Sequence, residues 1–255
     1  MRVLSATIFM KLILLSALAA VAVASPLGAQ TVTLSPVADA FVSSLNPASN
    51  YGGAGALAVS ASGSTKGEFD SLLRFDFATA KTSFDTLYGA GVWTLQSVKL
   101  TLTAIIPANA LFNASAAGNL GFKWIANDSW VEGTGTPNVP TTNGIAFNGL
   151  AGIQGGTDEA IGTFAFSGAT SGTVNFTFTL TPLFIADAMA GNLVSILALP
   201  ADATVSLLAD SQSFNTPSAR PILTVIATPE PASAVLTLAG LLMLATRRGR
   251  PRANA

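Results

Sequence analysis

The chain has 255 residues, 50% of them hydrophobic and only 10% charged, against roughly a quarter charged in ordinary soluble domains. It contains no Cys and no His, which excludes disulfides, thiol nucleophiles, Cys/His zinc sites and every Ser-His or Cys-His relay. The formal net charge of −1 averages over segments of opposite sign.

The first eleven residues carry Arg2 and Lys11 and no acid, and Leu12 to Ala24 is apolar or small apart from one Ser. A basic start, an apolar stretch and a small-residue exit predict a secretory signal peptide over residues 1–29, a helix handled by the Sec translocon. Signal peptidase is expected to cut between Ala29 and Gln30.

Residues 30–228 follow a period of two. In Val98-Lys99-Leu100-Thr101-Leu102-Thr103-Ala104 the apolar side chains share one face, and Val174-Asn175-Phe176-Thr177-Phe178-Thr179-Leu180 repeats the pattern. Such alternation describes strands with one face in a core and one in water. Shorter runs at 56–61, 72–77, 121–125, 161–166, 193–199, 204–208 and 221–226 read as further strands, separated by Gly, Asn, Pro and Ser clusters. About nine strands, one helical turn at 183–190 and no other strong helical period predict an all-β sandwich. Its exposed strand faces would be written in Thr, Ser and Asn, neutral residues that suit a pleated surface.

The C-terminal end closes with Pro229-Glu230-Pro231, an uncharged run from Ala232 to Thr246, and Arg247, Arg248, Arg250 and Arg252. As a helix the run spans roughly 22 Å, short of the roughly 30 Å hydrocarbon core. It predicts a marginal single transmembrane helix whose Arg cluster stays on the cytoplasmic side. Prolines on both sides of Glu230 impose an extended stretch before it.

This order closely resembles the PEP-CTERM sorting signal of exported bacterial proteins. The resemblance covers residues 229–252 and implies an exosortase as partner, with Pro229, Glu230, Pro231, Arg247, Arg248 and Arg250 as the recognised elements. It implies a transient inner-membrane anchor followed by delivery to the cell surface or extracellular matrix. Between the two addresses, residues 30–228 hold twelve acids against six bases, a net charge of −6. That excludes nucleic acid as a partner and disfavours polyanionic polysaccharides.

A second resemblance covers residues 31–226. Ala38-Asp39-Ala40-Phe41-Val42, Asn50-Tyr51-Gly52-Gly53, Leu72-Leu73-Arg74-Phe75-Asp76-Phe77, Ser97 to Thr103, Ser129-Trp130-Val131-Glu132, Phe178 to Leu183 and Arg220 to Val225 stand in the order of the DNRLRE family. That family comprises exported jelly-roll β-sandwich modules, some of which bind carbohydrate. The resemblance implies a structural role for Tyr51, Arg74 and Asp76, the last two able to pair along one strand face. Trp130 and Tyr51 are the candidate ligand contacts. A second Trp usual in the family is replaced here by residues 134–140, which favours Trp130 and Glu132 as loop supports. Asp39 is a candidate for a structural calcium site, since that ion takes carboxylates and loop carbonyls.

Other constellations fail on context. Gly53-Ala54-Gly55-Ala56-Leu57-Ala58 matches a dinucleotide-binding string but lacks the strand before it and the helix after it. Asp128 with Glu132, or Asp158 with Glu159, supplies two carboxylates that nothing places across a cleft, and no enzyme is expected. Trp93, Trp124 and Trp130 are candidates for a sugar-stacking platform, although Trp124 reads equally as core. The three N-glycosylation strings, at Asn113, Asn127 and Asn175, are idle if the chain is bacterial. The leading expectation is an exported structural or adhesive protein of the cell surface or exopolysaccharide matrix. The alternative is a carbohydrate-binding module for exopolysaccharide.

Overall fold

In the computed structural model, which describes residues 28–230, the apolar period of two becomes two antiparallel sheets forming a sandwich. The strands are β1 (Gln30–Leu34), β2 (Pro36–Ser43), β3 (Ala56–Ser60), β4 (Phe69–Asp76), β5 (Trp93–Thr103), β6 (Gly118–Ile125), β7 (Glu159–Phe166), β8 (Thr173–Thr177), β9 (Leu193–Pro200), β10 (Ser206–Asp210) and β11 (Ile222–Pro229). One sheet has four strands in the order β1-β11-β5-β8. The other has seven, in the order β10-β3-β4-β9-β6-β7, with β2 paired to β4.

Between the sheets lies the main core, with Leu34, Leu73, Phe75, Leu100, Phe122, Phe176, Ile196 and Val225 all buried. On the four-stranded sheet the inward residues alternate with outward Thr and Asn, as expected: Lys99 stands opposite Thr177, Thr101 opposite Asn175, Thr103 opposite Thr173. The Thr101 hydroxyl donates to Asn175 Oδ1 at 2.7 Å.

The seven-stranded sheet departs from that pattern, because its outer face is covered too. Ala38, Ala40, Val42, Leu72 and Leu197 pack outward against Trp130, Ile145, Leu150 and Ile153, supplied by the long segment between β6 and β7. Strands covered on both faces lose the polar half of the alternation. This explains why β2, buried at every position but Val37, and the all-buried β3 and β10 show little period of two. Simple alternation misses β1 and β2 altogether.

Three α-helices punctuate the described strands. α1 (Ala78–Tyr88) contradicts the expectation of no helix beyond 183–190. Its three Thr residues are weak helix formers, and only Ala80 and Phe84 are buried, so packing rather than propensity makes it. α2 is one turn, Leu150–Ile153. α3 (Pro182–Ala190) is the expected helix. Glu159 Oε2 accepts the N–H groups of Leu183 and Phe184 at 3.0 and 2.9 Å, placing a carboxylate at its N-terminus. Gly191, at φ 76°, closes it in the left-handed conformation.

Among the described residues no helix is long and apolar enough to cross a membrane. The expected signal helix, the 232–246 helix, Pro231, Arg247, Arg248 and Arg250 lie outside the described residues. Ala29 and Gln30 lie within them, Gln30 opening β1; Pro229 ends β11 and Glu230 follows it.

Candidate functional site

Three of the motifs singled out in the sequence, around Asn50, Arg74 and Trp130, meet on the outer face of the seven-stranded sheet. Asn50 is their hub and is fully buried. Its Nδ2 donates to the main-chain carbonyls of Glu132 at 2.6 Å and Ile145 at 2.8 Å. Its Oδ1 accepts the N–H groups of Gly52 at 3.1 Å and Gly135 at 3.2 Å. One amide thus pairs four main-chain groups, three of them on the segment between β6 and β7 and one two residues along from Asn50 itself. Backbone runs so close here that a Cβ on Gly135 would lie 1.8 Å from the Asn50 carbonyl oxygen, and one on Gly52 2.1 Å from that of Glu132.

A second clamp sits beside the first. Arg74, outward on β4, donates through Nη1 to the carbonyls of Asp128 at 2.7 Å and Trp130 at 2.8 Å, and its guanidinium lies 4.8 Å from the Trp130 ring centroid. Trp130 Nε1 donates to Ser195 Oγ at 2.9 Å, and that hydroxyl donates to Asp128 Oδ1 at 2.5 Å. Burial raises the Asp128 carboxyl above its ordinary value, the Ser195 bond opposing it. The expected pairing of Arg74 with Asp76 does not form: Asp76 Oδ1 instead accepts the Ala78 N–H at 2.9 Å, opening α1.

Neither candidate ligand contact presents a ring to solvent. Trp130 is 4% exposed and Tyr51 2%, the latter stacked on Phe41 at 4.6 Å. Trp93 and Trp124 are core residues whose indole N–H groups donate to Asp85 Oδ1 and Asp187 Oδ2, at 2.8 and 2.9 Å. A platform of three Trp rings is therefore corrected, since each indole is buried and spends its N–H inside the protein. The acid pairs are also committed. Glu132 Oε1 accepts Gln212 Nε2, Asp158 accepts the Ala126 and Gly155 N–H groups, and Glu159 serves α3.

Asp39 lies at 0% exposure on β2, its Oδ2 accepting the Gln212 N–H at 2.7 Å. Burial pushes its carboxyl up to about 7, with the Glu132 charge adding to the rise. Among the described residues no three His, Cys, Asp or Glu side chains gather as a metal cluster.

Two of the open surfaces among the described residues bear on ligand binding. One is the outer face of the four-stranded sheet, rich in Thr and bearing Lys99. The other is a cleft of about 530 Å³ in the loops after β5, lined by Ile106, Asn109, Phe112, Ser115 and Thr170 among others, a size within the usual range for small-ligand sites. Sequence reasoning missed it because its residues form neither a motif nor a period. Asn109 shapes its rim, taking the Leu111 N–H at Oδ1 and donating to Asn138 Oδ1, both at 2.9 Å. The Ser115 hydroxyl is shielded from solvent and has no partner.

These features define a β-sandwich whose signature residues lock a surface loop and leave a polar-rimmed cleft beside it. Residues 30–143, which run from β1 through β6 and include Asn50, match carbohydrate-binding module family 96. No curated protein matches the chain, and no catalytic domain is identified.

Proposed function

We propose that the chain binds polysaccharide without cleaving it, with the cleft after β5 as the sugar-binding site. The observation that carries this reading is the carbohydrate-binding module match over residues 30–143, a range that contains most of the cleft. The cleft supports it chemically: Ile106 and Phe112 offer apolar surface to a sugar ring, and Asn109 gives the rim a polar side chain. The charge of −6 over residues 30–228 points to a neutral glycan. Affinity electrophoresis of the full chain in mild detergent should show retardation by a neutral polysaccharide, abolished by Ala114→Trp, which fills the cleft from an exposed position. Unchanged mobility in every neutral and acidic glycan overturns the reading. Retardation that survives Ala114→Trp overturns the location.

Delivery completes the proposal. The basic, apolar start and the order Pro229-Glu230-Pro231, apolar run, Arg cluster support export and exosortase processing, which would place the sandwich at the cell surface or in its matrix. Replacing the three residues by Ala should leave the tail uncleaved; an unchanged mature mass would sink the sorting claim.

A further inference from the structure

Sheet edges expose main-chain donors and acceptors, and proteins guard them with charge, proline, bulges or cover. The strands that end the two sheets are β1, β8, β10 and β7. Three of them are guarded. α1 packs against β1, and Ala104 and Ala116 bridge β10 on the side away from β3. β7 carries Glu159, shifts register beside Gly162 and gives its Ile161 carbonyl to the Thr179 N–H at 2.8 Å. β8 is uncharged, lacks Pro and keeps an unbroken register with β5.

The ladder shows which groups of β8 are open. The Ala104 N–H donates to the Gly172 carbonyl and the Phe178 N–H to that of Val98, both at 2.9 Å. Such bonds recur at alternate residues of an antiparallel pair, so Val174 and Phe176 also turn to β5. Thr173, Asn175 and Thr177 therefore present their N–H and C=O groups to the open edge, and all three are exposed. Charge favours a meeting on this side. None of the twelve acids of residues 30–228 falls on β1, β5, β8 or β11, so two copies of an acidic domain can approach here without carboxylates on the facing strands.

We propose that β8 pairs with β8 of a second copy, antiparallel about a two-fold axis through Asn175, joining the four-stranded sheets of two chains into one continuous sheet. A two-fold contact must be self-complementary, and this strand is. Thr173 faces the partner's Thr177, Asn175 faces the partner's Asn175, and Val174 lies beside the partner's Phe176. The three pairs with main chain on the edge supply about six hydrogen bonds, two per pair, and Thr–Thr pairs across strands are favourable. The facing strands are short, so the contact is weak in dilute solution and strengthens where copies are held close together. It does not depend on the chain binding sugar.

Disulfide trapping tests the pairing, because the chain has no Cys. Paired Asn175 Cα atoms stand about 5.5 Å apart, within disulfide reach. Under mild oxidation of the full chain in detergent, Asn175→Cys should form a linked dimer about tenfold faster or more than Thr33→Cys, an exposed position on β1 of the same sheet, since pairing holds the thiols together. Adding Thr177→Pro to Asn175→Cys should bring trapping down to the Thr33→Cys rate: the ring removes an edge N–H but no bond to β5, and proline is tolerated on such an edge. Equal rates for the two Cys variants, as association through another part of the chain gives, overturn the proposal, and so does fast trapping that Thr177→Pro leaves unchanged. Should the proline variant fail to fold, Asn175→Lys decides by sedimentation of concentrated protein. With like charges opposed it should be monomeric where the parent dimerises, and a parent mass no greater than that of Asn175→Lys overturns the pairing.

Discussion

Replacing Asn50 by Ala probes the loop lock most directly. The substitution deletes one side-chain amide and strands four main-chain groups: the carbonyls of Glu132 and Ile145 and the N–H groups of Gly52 and Gly135. Each buried group left unpaired costs about 1–3 kcal/mol. Four of them set a ceiling near 12 kcal/mol, and water entering beside the removed amide lowers the expected loss to about 5 kcal/mol. That is a large share of a stability of about 5–15 kcal/mol. Urea unfolding followed by tryptophan fluorescence measures it, since all three indoles are buried. Asn50→Asp sharpens the result: it keeps an acceptor for the two glycine N–H groups but sets an oxygen against two carbonyl oxygens, and should rescue little. A loss below about 1.5 kcal/mol for the Ala variant, the worth of one ordinary hydrogen bond, would refute the knot as the anchor of the loop.

Other perturbations read neighbouring parts of the same face. Arg74→Met keeps apolar length but removes two carbonyl bonds and the contact with Trp130; a loss of about 2–4 kcal/mol and faster protease cutting within residues 126–149 are expected, and unchanged cutting would count against the clamp. Gly135→Ala should destabilise far more than Gly152→Ala, because the first Cβ meets main chain at 1.8 Å and the second meets nothing within 4 Å; equal effects in denaturant would refute the close approach. Asp70, 5% exposed, is pushed up to about 7 by burial, with Glu68 adding to the rise and Lys123 opposing it. The folded state then holds this proton where the unfolded chain has released it. Stability from this group is full below about pH 4 and falls as pH rises to about 7, by at most about 4 kcal/mol. Melting curves across that window should show a shallower fall in Asp70→Asn, not a flat line, because Asp39 is shifted the same way; an unchanged slope would contradict it.

Much of the fold is legible in the sequence wherever one face of a strand meets water. Lys99, Thr101 and Thr103 declare the outside of β5 and Val98, Leu100 and Leu102 its inside, and the structure keeps that division. The reading fails where both faces are buried. β2 offers Asp39 and Ser43 among small and apolar residues, a string with no period to detect, and α1 is hidden by its Thr content. The motifs Asn50-Tyr51-Gly52-Gly53 and Trp130-Val131-Glu132 are visible as strings. That they bind one another across more than eighty residues of chain is not.

By itself, the sequence determined the class of the protein: alternation set the sandwich, the lack of Cys and His removed most catalytic chemistry, and charge placement made the domain acidic between basic ends. These properties depend on residue type and spacing along the chain. Only the tertiary structure decided that three Trp rings face inward, that Arg74 serves two carbonyls rather than Asp76, and that Asp39 and Glu132 share Gln212. Those outcomes rest on pairings between segments far apart in sequence, where burial decides whether a polar side chain meets water, a partner or neither.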